Sequence, residues 1–391
     1  MRICQVAPCF PYQEYLDGIS VEKKYHVGGV ERHILELSKA LVKRGNSVTI
    51  FTTRAPFHRQ YHEIDSFDII RIPYGLKLYS SSIPFNLFKY FNIQDYDVIH
   101  AHTPNPMMAD LACLKNNGEK PFILTYHNEI TKGGLIGKTI SSIYNKTFGY
   151  SLLKKSDLIL TTTKDYAEES INLKKFRNKI KIVPNGVDVS RFSPTTDGKP
   201  IRKKYNIPKN SKVLLFIGAL EQYKGIEYLL AAFKKVISYT NDIYLIIVGK
   251  GSLLEKLKSK VIQLGLSNNV IFAGYVKDID LPFYYAFCDV FILPSVSKKE
   301  GFGIVQLEAM ASGKPVISTN LPGVLEVDKD EVASLHVPPM DAEVLANAII
   351  KLVLDSELLR ELGRKGRFLV EERYIWDKIA GDIEKVYYEV A

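Results

Sequence analysis

Short runs rich in Val, Ile and Leu alternate along the whole chain with stretches whose apolar residues recur at helical spacing, and no other feature restricts the fold as much. A strand, a crossover helix and a second strand of one sheet leave the strands parallel, with helices on both faces. Such runs fall at residues 3–7, 48–52, 69–72, 98–101, 122–126, 158–161 and 181–183, then at 213–217, 244–248, 270–273, 290–293, 315–318 and 334–337. Their continuous apolar character is that of strands covered on both faces. Val30, Ile34, Leu37 and Leu41 stand at i, i+4, i+7 and i+11 and predict a helix over 30–44. Lys43 and Arg44 complement its C-terminal dipole, and Gly45 closes it.

At 391 residues the chain exceeds one ordinary core. The pattern breaks between Pro194 and Pro200, so a first α/β domain over 1–192 and a second over 193–373 are expected. A last helical pattern, Trp376 to Val390, lies too far past the final strand to belong plainly to the second sheet. No eighteen-residue apolar run offers a spanning helix, and residues 2–7 read as a strand, not as a cleaved leader. Cys4, Cys9, Cys113 and Cys288 follow no metal or disulfide spacing, so a reducing cytosol is expected. Residues 1–190 hold 25 Lys/Arg against 18 Asp/Glu. That surplus fits an anionic acceptor, an anionic membrane surface or a merely solvated exterior. No nucleic-acid partner is expected.

The sharpest motif is Glu300-Gly301-Phe302-Gly303-Ile304-Val305-Gln306-Leu307-Glu308, just past a strand that runs into Leu293-Pro294-Ser295. A strand, a glycine-bearing turn and a helix present free backbone N–H groups to an anion. Gly301 and Gly303 remove Cβ atoms where a diphosphate would approach the backbone. Glu308, about one to two turns into the helix, can accept from vicinal hydroxyls of a ribose, and Glu300 from hydroxyls of a second sugar. The bland alternative makes them a solvated turn residue and a surface helix residue. Leu307, Ala309 and Met310 crowd Glu308 with apolar neighbours and speak against it.

The stretch Pro294-Ser295, Glu300 to Gly303 and Glu308-Ala309-Met310-Ala311-Ser312-Gly313-Lys314-Pro315-Val316-Ile317 resembles the signature of glycosyltransferase family 4, retaining enzymes of the GT-B fold. Gly28-Gly29-Val30-Glu31, Asp97-Val98-Ile99-His100-Ala101-His102, Pro184-Asn185-Gly186-Val187-Asp188, Tyr223-Lys224-Gly225 and Leu362-Gly363 with Trp376 agree in order and spacing. The resemblance implies two Rossmann-like α/β domains with parallel sheets facing across a cleft, and a final helix from about residue 374 that crosses back to the first. It implies transfer of a hexose-type sugar from a UDP- or GDP-sugar to a glycan or lipid-linked acceptor, with no metal or other cofactor required. Gly28 and Gly29 would abut the donor phosphates or the reacting sugar, and His127 would stand beside the transferred sugar. Lys224 would neutralise the leaving diphosphate. The base would meet mainly main chain around Gly274, Tyr275 and Val276, with Glu300, Gly301, Phe302, Gly303, Ile304 and Glu308 holding the rest of the donor.

One position departs from the family. Many relatives carry an arginine after the glycine that ends the strand at 213–217, where this chain has Ala219. A missing guanidinium costs stabilisation of a leaving diphosphate, for which Lys250, Arg32 or the helix at Gly303 can compensate. A non-catalytic nucleotide-sugar or glycan-binding subunit is the alternative. Lys224 could also be a solvated lysine and His127 a core histidine, although a cation at a helix start is unfavourable without an anion there. His100 and His102 suit cleft shaping better than metal binding.

Asp95-Tyr96-Asp97 and Asp278-Ile279-Asp280 spell the D-x-D of metal-dependent transferases but read as turn and cap residues. Retention by attack on the leaving-group face is expected. A double displacement would need a carboxylate on the opposite face, for which only Glu129 stands near in sequence. Acceptor contacts are expected from residues 9–27 and 131–155. The latter mix Leu135, Ile136, Ile140, Ile143 and Phe148 with Lys132, Lys138, Lys146, Lys154 and Lys155, which suits an amphipathic helix either on its own sheet or on a membrane.

Overall fold

The computed structural model describes every residue except 13–27, 55–60, 65–66, 74–75, 79–80, 85–86, 105, 131–133 and 241. It divides into two compact units, Met1–Gly186 with Trp376–Ala391, and Val187–Ile375.

In the first unit the strands are β1 (Arg2–Val6), β2 (Ser47–Thr53), β3 (Tyr61–Ile64), β4 (Phe67–Ile72), β5 (Leu76–Leu78), β6 (Ser81–Ile83), β7 (Val98–His102), β8 (Phe122–Thr125), β9 (Leu158–Thr161) and β10 (Ile180–Ile182). The large sheet has the order β10-β9-β8-β7-β1-β2-β4-β3, and β5 and β6 form a separate antiparallel pair. Each of the seven apolar runs is a parallel strand of the large sheet. β3 joins antiparallel at the edge. Its sequence, Tyr61-His62-Glu63-Ile64, lacks a continuous apolar run, as an edge strand can.

The second unit holds β11 (Lys212–Ile217), β12 (Ile243–Val248), β13 (Val270–Gly274), β14 (Val290–Leu293), β15 (Val316–Thr319) and β16 (Ser334–Val337), in the order β13-β12-β11-β14-β15-β16. All pair parallel. Strand order reverses between β11 and β14 here, and between β1 and β7 in the first unit. Ligands of open parallel sheets bind at such switch points, beyond the carboxyl ends of the strands.

The first helix spans Gly29–Lys43, with Arg44 as its C-cap and Gly45 following at φ +88°. It buries Ile34, Leu37 and Leu41 in one cluster with Trp376, Ile379, Ala380, Ile383, Val386 and Tyr387 of the last helix, Trp376–Val390. That apolar stripe explains why the chain returns to the first unit. Arg44 pairs with Asp377 at 3.1 Å and Glu384 at 2.5 Å across the same contact. The loop after β1 is pinned by fully buried Arg71, which donates to the Phe10 carbonyl at 2.8 Å and to that of Pro11.

The chain leaves the first unit through Gly186. A Cβ built there would stand 2.6 Å from the Trp376 ring. Gly186→Ala should therefore cost about 1–3 kcal/mol through overpacking, read as a lower midpoint in urea followed by tryptophan fluorescence. Trp376 is the only tryptophan in the chain, so the signal reports this unit.

Candidate functional site

In the second unit the turns after β11 and β14 lie against each other. Gly225 has φ +67°, and an added Cβ would stand 2.0 Å from the Pro294 carbonyl oxygen, so only glycine lets the turns pack this closely. The short 3₁₀ turn Gln222–Lys224 folds the Lys224 side chain back towards the end of β11. A Cβ on Gly218 would lie 3.6 Å from Lys224 Nζ.

Lys224 and Glu300 are both buried and form an ion pair. The same Glu300 oxygen accepts from Ser295 Oγ at 2.8 Å. Burial pulls the Lys224 ammonium down, but the Glu300 charge and hydrogen bond outweigh it and hold the amine above the ordinary lysine range. The sequence suggests separate duties for these two residues; the fold joins them directly.

Phe302 is buried in the core of the unit and anchors the Gly301–Gly303 turn. Gly303 has φ +74°, and a Cβ on it would meet Leu293 Cδ2 at 2.7 Å. The helix Ile304–Ala311 begins there with no side chain capping its amides. Gln306 Nε2 donates to the carbonyls of Phe302 at 2.7 Å and Val324 at 3.1 Å, which fixes the turn. An uncapped helix start is a place for an anion. One turn on, half-buried Glu308 accepts from the Tyr285 hydroxyl at 2.7 Å. Burial and the Glu308 charge both raise Tyr285, so it remains a donor.

Gly274, Tyr275 and Val276 follow at the end of β13, two strands from β11. Gly274 takes φ +69°, its carbonyl accepts from Gly249 N at 2.8 Å, and Lys250 Nζ sits 4.5 Å from the centroid of the exposed Tyr275 ring. Lys250 thus serves the β13 end. Arg32, in the other unit, pairs with Glu36 at 3.0 Å. The Lys250 carbonyl accepts from Leu220 N at 2.8 Å, so its backbone adjoins the Ala219 turn while its ammonium reaches the β13 end.

In the first unit, Gly28 and Gly29 open the first helix at the end of the β1 loop, and Gly28 N donates to Glu31 Oε2 at 2.8 Å. His127 follows β8 and is buried with His33, His100 and His102. His127 Nε2 lies 3.2 Å from His102 Nδ1, and His33 Nδ1 lies 2.7 Å from Asn185 Oδ1. His33 stands edge-on to Trp376 with centroids 5.2 Å apart. The Pro184–Asp188 motif now has a physical account: Asn185 holds His33, Gly186 clears Trp376, and Asp188 caps the amides of Ser190 and Arg191 at 2.9 and 3.1 Å. Asn185 could be found from that motif. Tyr285 and Tyr387 carry no local sign beyond core spacing.

Among the described residues, His33, His102 and His127 are the set that could face a metal ion, with ring nitrogens within 4.8 Å of one another. They fit one poorly. Two of the nitrogens bond each other, and among the described residues no carboxylate joins the set to balance a buried dication. Asp97 is bonded to Arg2 at 2.8 Å and Asp278 to Arg191 at 2.7 Å, each fixed to its own surface. Of the expected acceptor segments, residues 13–27 and 131–133 lie outside the described residues.

Two family models match the chain: Glycosyltransferase Family 4 over residues 27–191 and Glycosyl transferases group 1 over residues 197–368. The chain is 29% identical to phosphatidyl-myo-inositol mannosyltransferase of Mycobacterium leprae, over 93% of this chain and 94% of that one. It is 27% identical to O-antigen chain mannosyltransferase C of Escherichia coli, over 94% and 97%. Sucrose-phosphate synthase of Thermosynechococcus elongatus shares the fold, with a TM-score of 0.77 at 24% identity over 100% of this chain and 99% of that one.

The buried histidines couple the first unit to pH. Burial pushes His33 down to about 4 and His100 to about 3, and holds His102 and His127 well below the ordinary range. The unfolded chain takes up protons near pH 6.5 while the native unit refuses them, so stability is full above that pH and is lost as pH falls towards 4. Each histidine contributes a slope of up to ~1.4 kcal/mol per pH unit. Urea unfolding read by Trp376 should show a steep fall in stability between pH 6.5 and 5, shallower in His100→Gln. A flat profile would contradict neutral burial.

Proposed function

The chain belongs to glycosyltransferase family 4, and from that membership we propose that it moves a hexose from a UDP- or GDP-sugar to a glycan or lipid-linked acceptor, with retention and without a metal. The observation that carries this reading is the buried Lys224–Glu300 pair beside the uncapped start of the Ile304–Ala311 helix. Breaking the bond from the sugar to the diphosphate builds negative charge on the leaving phosphate. The Gly303–Ile304 amides, the helix dipole and Lys224 meet that charge. When a diphosphate takes up the Lys224 ammonium, the Glu300 carboxylate is released to accept hydroxyls of the transferred sugar, and neither buried charge is left uncompensated. Glu308, oriented by Tyr285, accepts from the ribose hydroxyls. The base rests on Gly274, Tyr275 and Val276, while Gly28, Gly29 and His127 face the phosphates and the sugar. The departing phosphate takes the acceptor proton. Glu129 is bonded to Ser170 Oγ at 2.8 Å and Ile171 N at 3.1 Å, which supports front-face attack over double displacement.

Ala219 favours a second reading, a subunit that binds the nucleotide sugar without consuming it. Incubation with UDP- and GDP-sugars separates the two: nucleotide released only with acceptor means a transferase, and donor bound but never consumed means a binding subunit. Family relatives named as mannosyltransferases support including GDP-mannose in the panel.

A peripheral contact with an anionic membrane, on the cytosolic side, belongs to the same proposal; the four cysteines, which follow no disulfide spacing, support a reducing compartment. Among the described residues no helix is long and apolar enough to cross a membrane. Helices Gly134–Lys146 and Phe148–Lys155 expose Ile136, Ile143 and Phe148 by 59–70%, beside exposed Lys138, Lys146, Lys154 and Lys155. An apolar face rimmed by lysines suits an anionic interface.

Glu308→Ala should weaken nucleotide-sugar binding by more than about tenfold, since it removes a charged acceptor; unchanged affinity by calorimetry would sink the ribose assignment. Lys224→Ala should lower kcat by about 10²–10³, checked by nucleotide release. Ile143→Asp with Phe148→Asp should abolish co-sedimentation with phosphatidylglycerol vesicles and leave turnover on a soluble acceptor intact.

A further inference from the structure

A buried run of side chains ends on His127, and its other members have no part in the chemistry above. Thr125 Oγ1 lies 2.6 Å from His100 Nε2, and His100 Nδ1 lies 2.7 Å from the Tyr387 hydroxyl. Gln5 Nε2 donates to that hydroxyl at 3.2 Å, and Gln5 Oε1 lies 2.7 Å from His102 Nε2. His102 Nδ1 then meets His127 Nε2 at 3.2 Å. All six side chains are buried. Gln5, His100, His102 and Thr125 come from β1, β7 and β8, His127 stands just past β8, and Tyr387 comes from the last helix.

A neutral imidazole gives one proton and offers one lone pair, so the bonds of such a run share one direction. With the Gln5 carbonyl on His102, His102 carries its proton on Nε2 and accepts at Nδ1. His127 must then carry its proton on Nε2, which leaves Nδ1 as an acceptor. On the other side, Tyr387 receives from Gln5 and gives its own proton to His100 Nδ1, and His100 Nε2 donates to Thr125. Turning the Gln5 amide over would reverse every bond and move the His127 proton to Nδ1.

A second observation favours the first direction. With Asn185 Oδ1 accepting, His33 carries its proton on Nδ1, and its Nε2 is buried with no partner among the described residues. The ring stands edge-on to His127 with centroids 4.8 Å apart. In this direction the His127 ring proton stands in the same buried cluster as the His33 lone pair. Reversal would take the proton off His127 Nε2 and leave an unprotonated nitrogen of His127 in the cluster with that of His33.

We propose that Gln5 and Tyr387 are positioning residues that hold His127 neutral and protonated on Nε2, presenting the Nδ1 lone pair to a hydroxyl of the transferred sugar. This rests on the reading of His127 as a sugar contact. His127 then acts as an acceptor that orients the sugar, and the last helix of the chain sets where its proton sits.

The test combines ¹⁵N-histidine NMR, which reads the tautomer, with steady-state transfer kinetics. The wild type should show His127 as the Nε2–H tautomer. Tyr387→Phe removes one oxygen and should give a tautomer mixture, with kcat down about tenfold and donor KM within about twofold. Gln5→Leu should do the same. Gln5→Glu can only accept, so it keeps the His102 proton on Nε2 and should preserve both the tautomer and most of kcat. Trp376 fluorescence checks folding, and Tyr387→Phe alone carries the test if a Gln5 variant fails to fold. An unchanged tautomer and kcat in Tyr387→Phe, with His127→Ala inactive, would overturn the proposal. Full turnover in His127→Ala would instead overturn the sugar-contact reading, while the tautomer measurement still decides whether the network sets the proton.

Discussion

A lysine and a glutamate that share one buried corner impose the strictest condition on this molecule. Removing either charge from water costs several kcal/mol after relaxation, and their attraction repays that only in a rigid, well-bonded geometry. Lys224 and Glu300 lie on turns 76 residues apart in sequence, so the rigidity must come from the fold. It comes from the reversal of strand order between β11 and β14, which sets the two turns side by side. It also comes from Gly225, whose missing side chain admits the Pro294 carbonyl, and from Ser295, which bonds the shared carboxylate oxygen. A stability role does not account for such a pair, because well-packed apolar residues would do as well. A ligand that needs both a cation and an acceptor does account for it.

The thirteen apolar runs were legible because a strand covered on both faces must be apolar at every position. The same reasoning hides β3, an edge strand whose sequence includes His62 and Glu63, and the β5–β6 pair of three-residue strands. The glycines were legible for a related reason: positions at φ +67° and +74° with another group within 3 Å of the missing Cβ admit little else. Partners were not. Glu308 stood out in its apolar surroundings, but nothing near it in sequence indicates that Tyr285 orients it. His33 reads as one more core position of an amphipathic helix until Asn185 is found opposite. Partner choice is made by tertiary packing, and local patterns do not record it.

The candidate site residues of the two units differ in charge. In the second, buried Lys224 and Glu300 pair with each other and half-buried Glu308 accepts from Tyr285. In the first, the four clustered histidines are neutral at physiological pH because burial disfavours the imidazolium. A neutral ring that offers a lone pair can accept a proton from a hydroxyl, whereas an imidazolium could only donate.

The returning helix links this difference to the topology. Its apolar stripe alone would explain docking against the Gly29–Lys43 helix, and an aliphatic residue at 387 would fill the same space. Instead the position carries a tyrosine whose hydroxyl is buried between Gln5 and His100. A buried hydroxyl left unpaired costs about 1–3 kcal/mol, so its presence requires both partners to stay in place. The order of those side chains therefore depends on the helix that supplies the hydroxyl, and a segment that packs like a strap also completes the polar core behind His127.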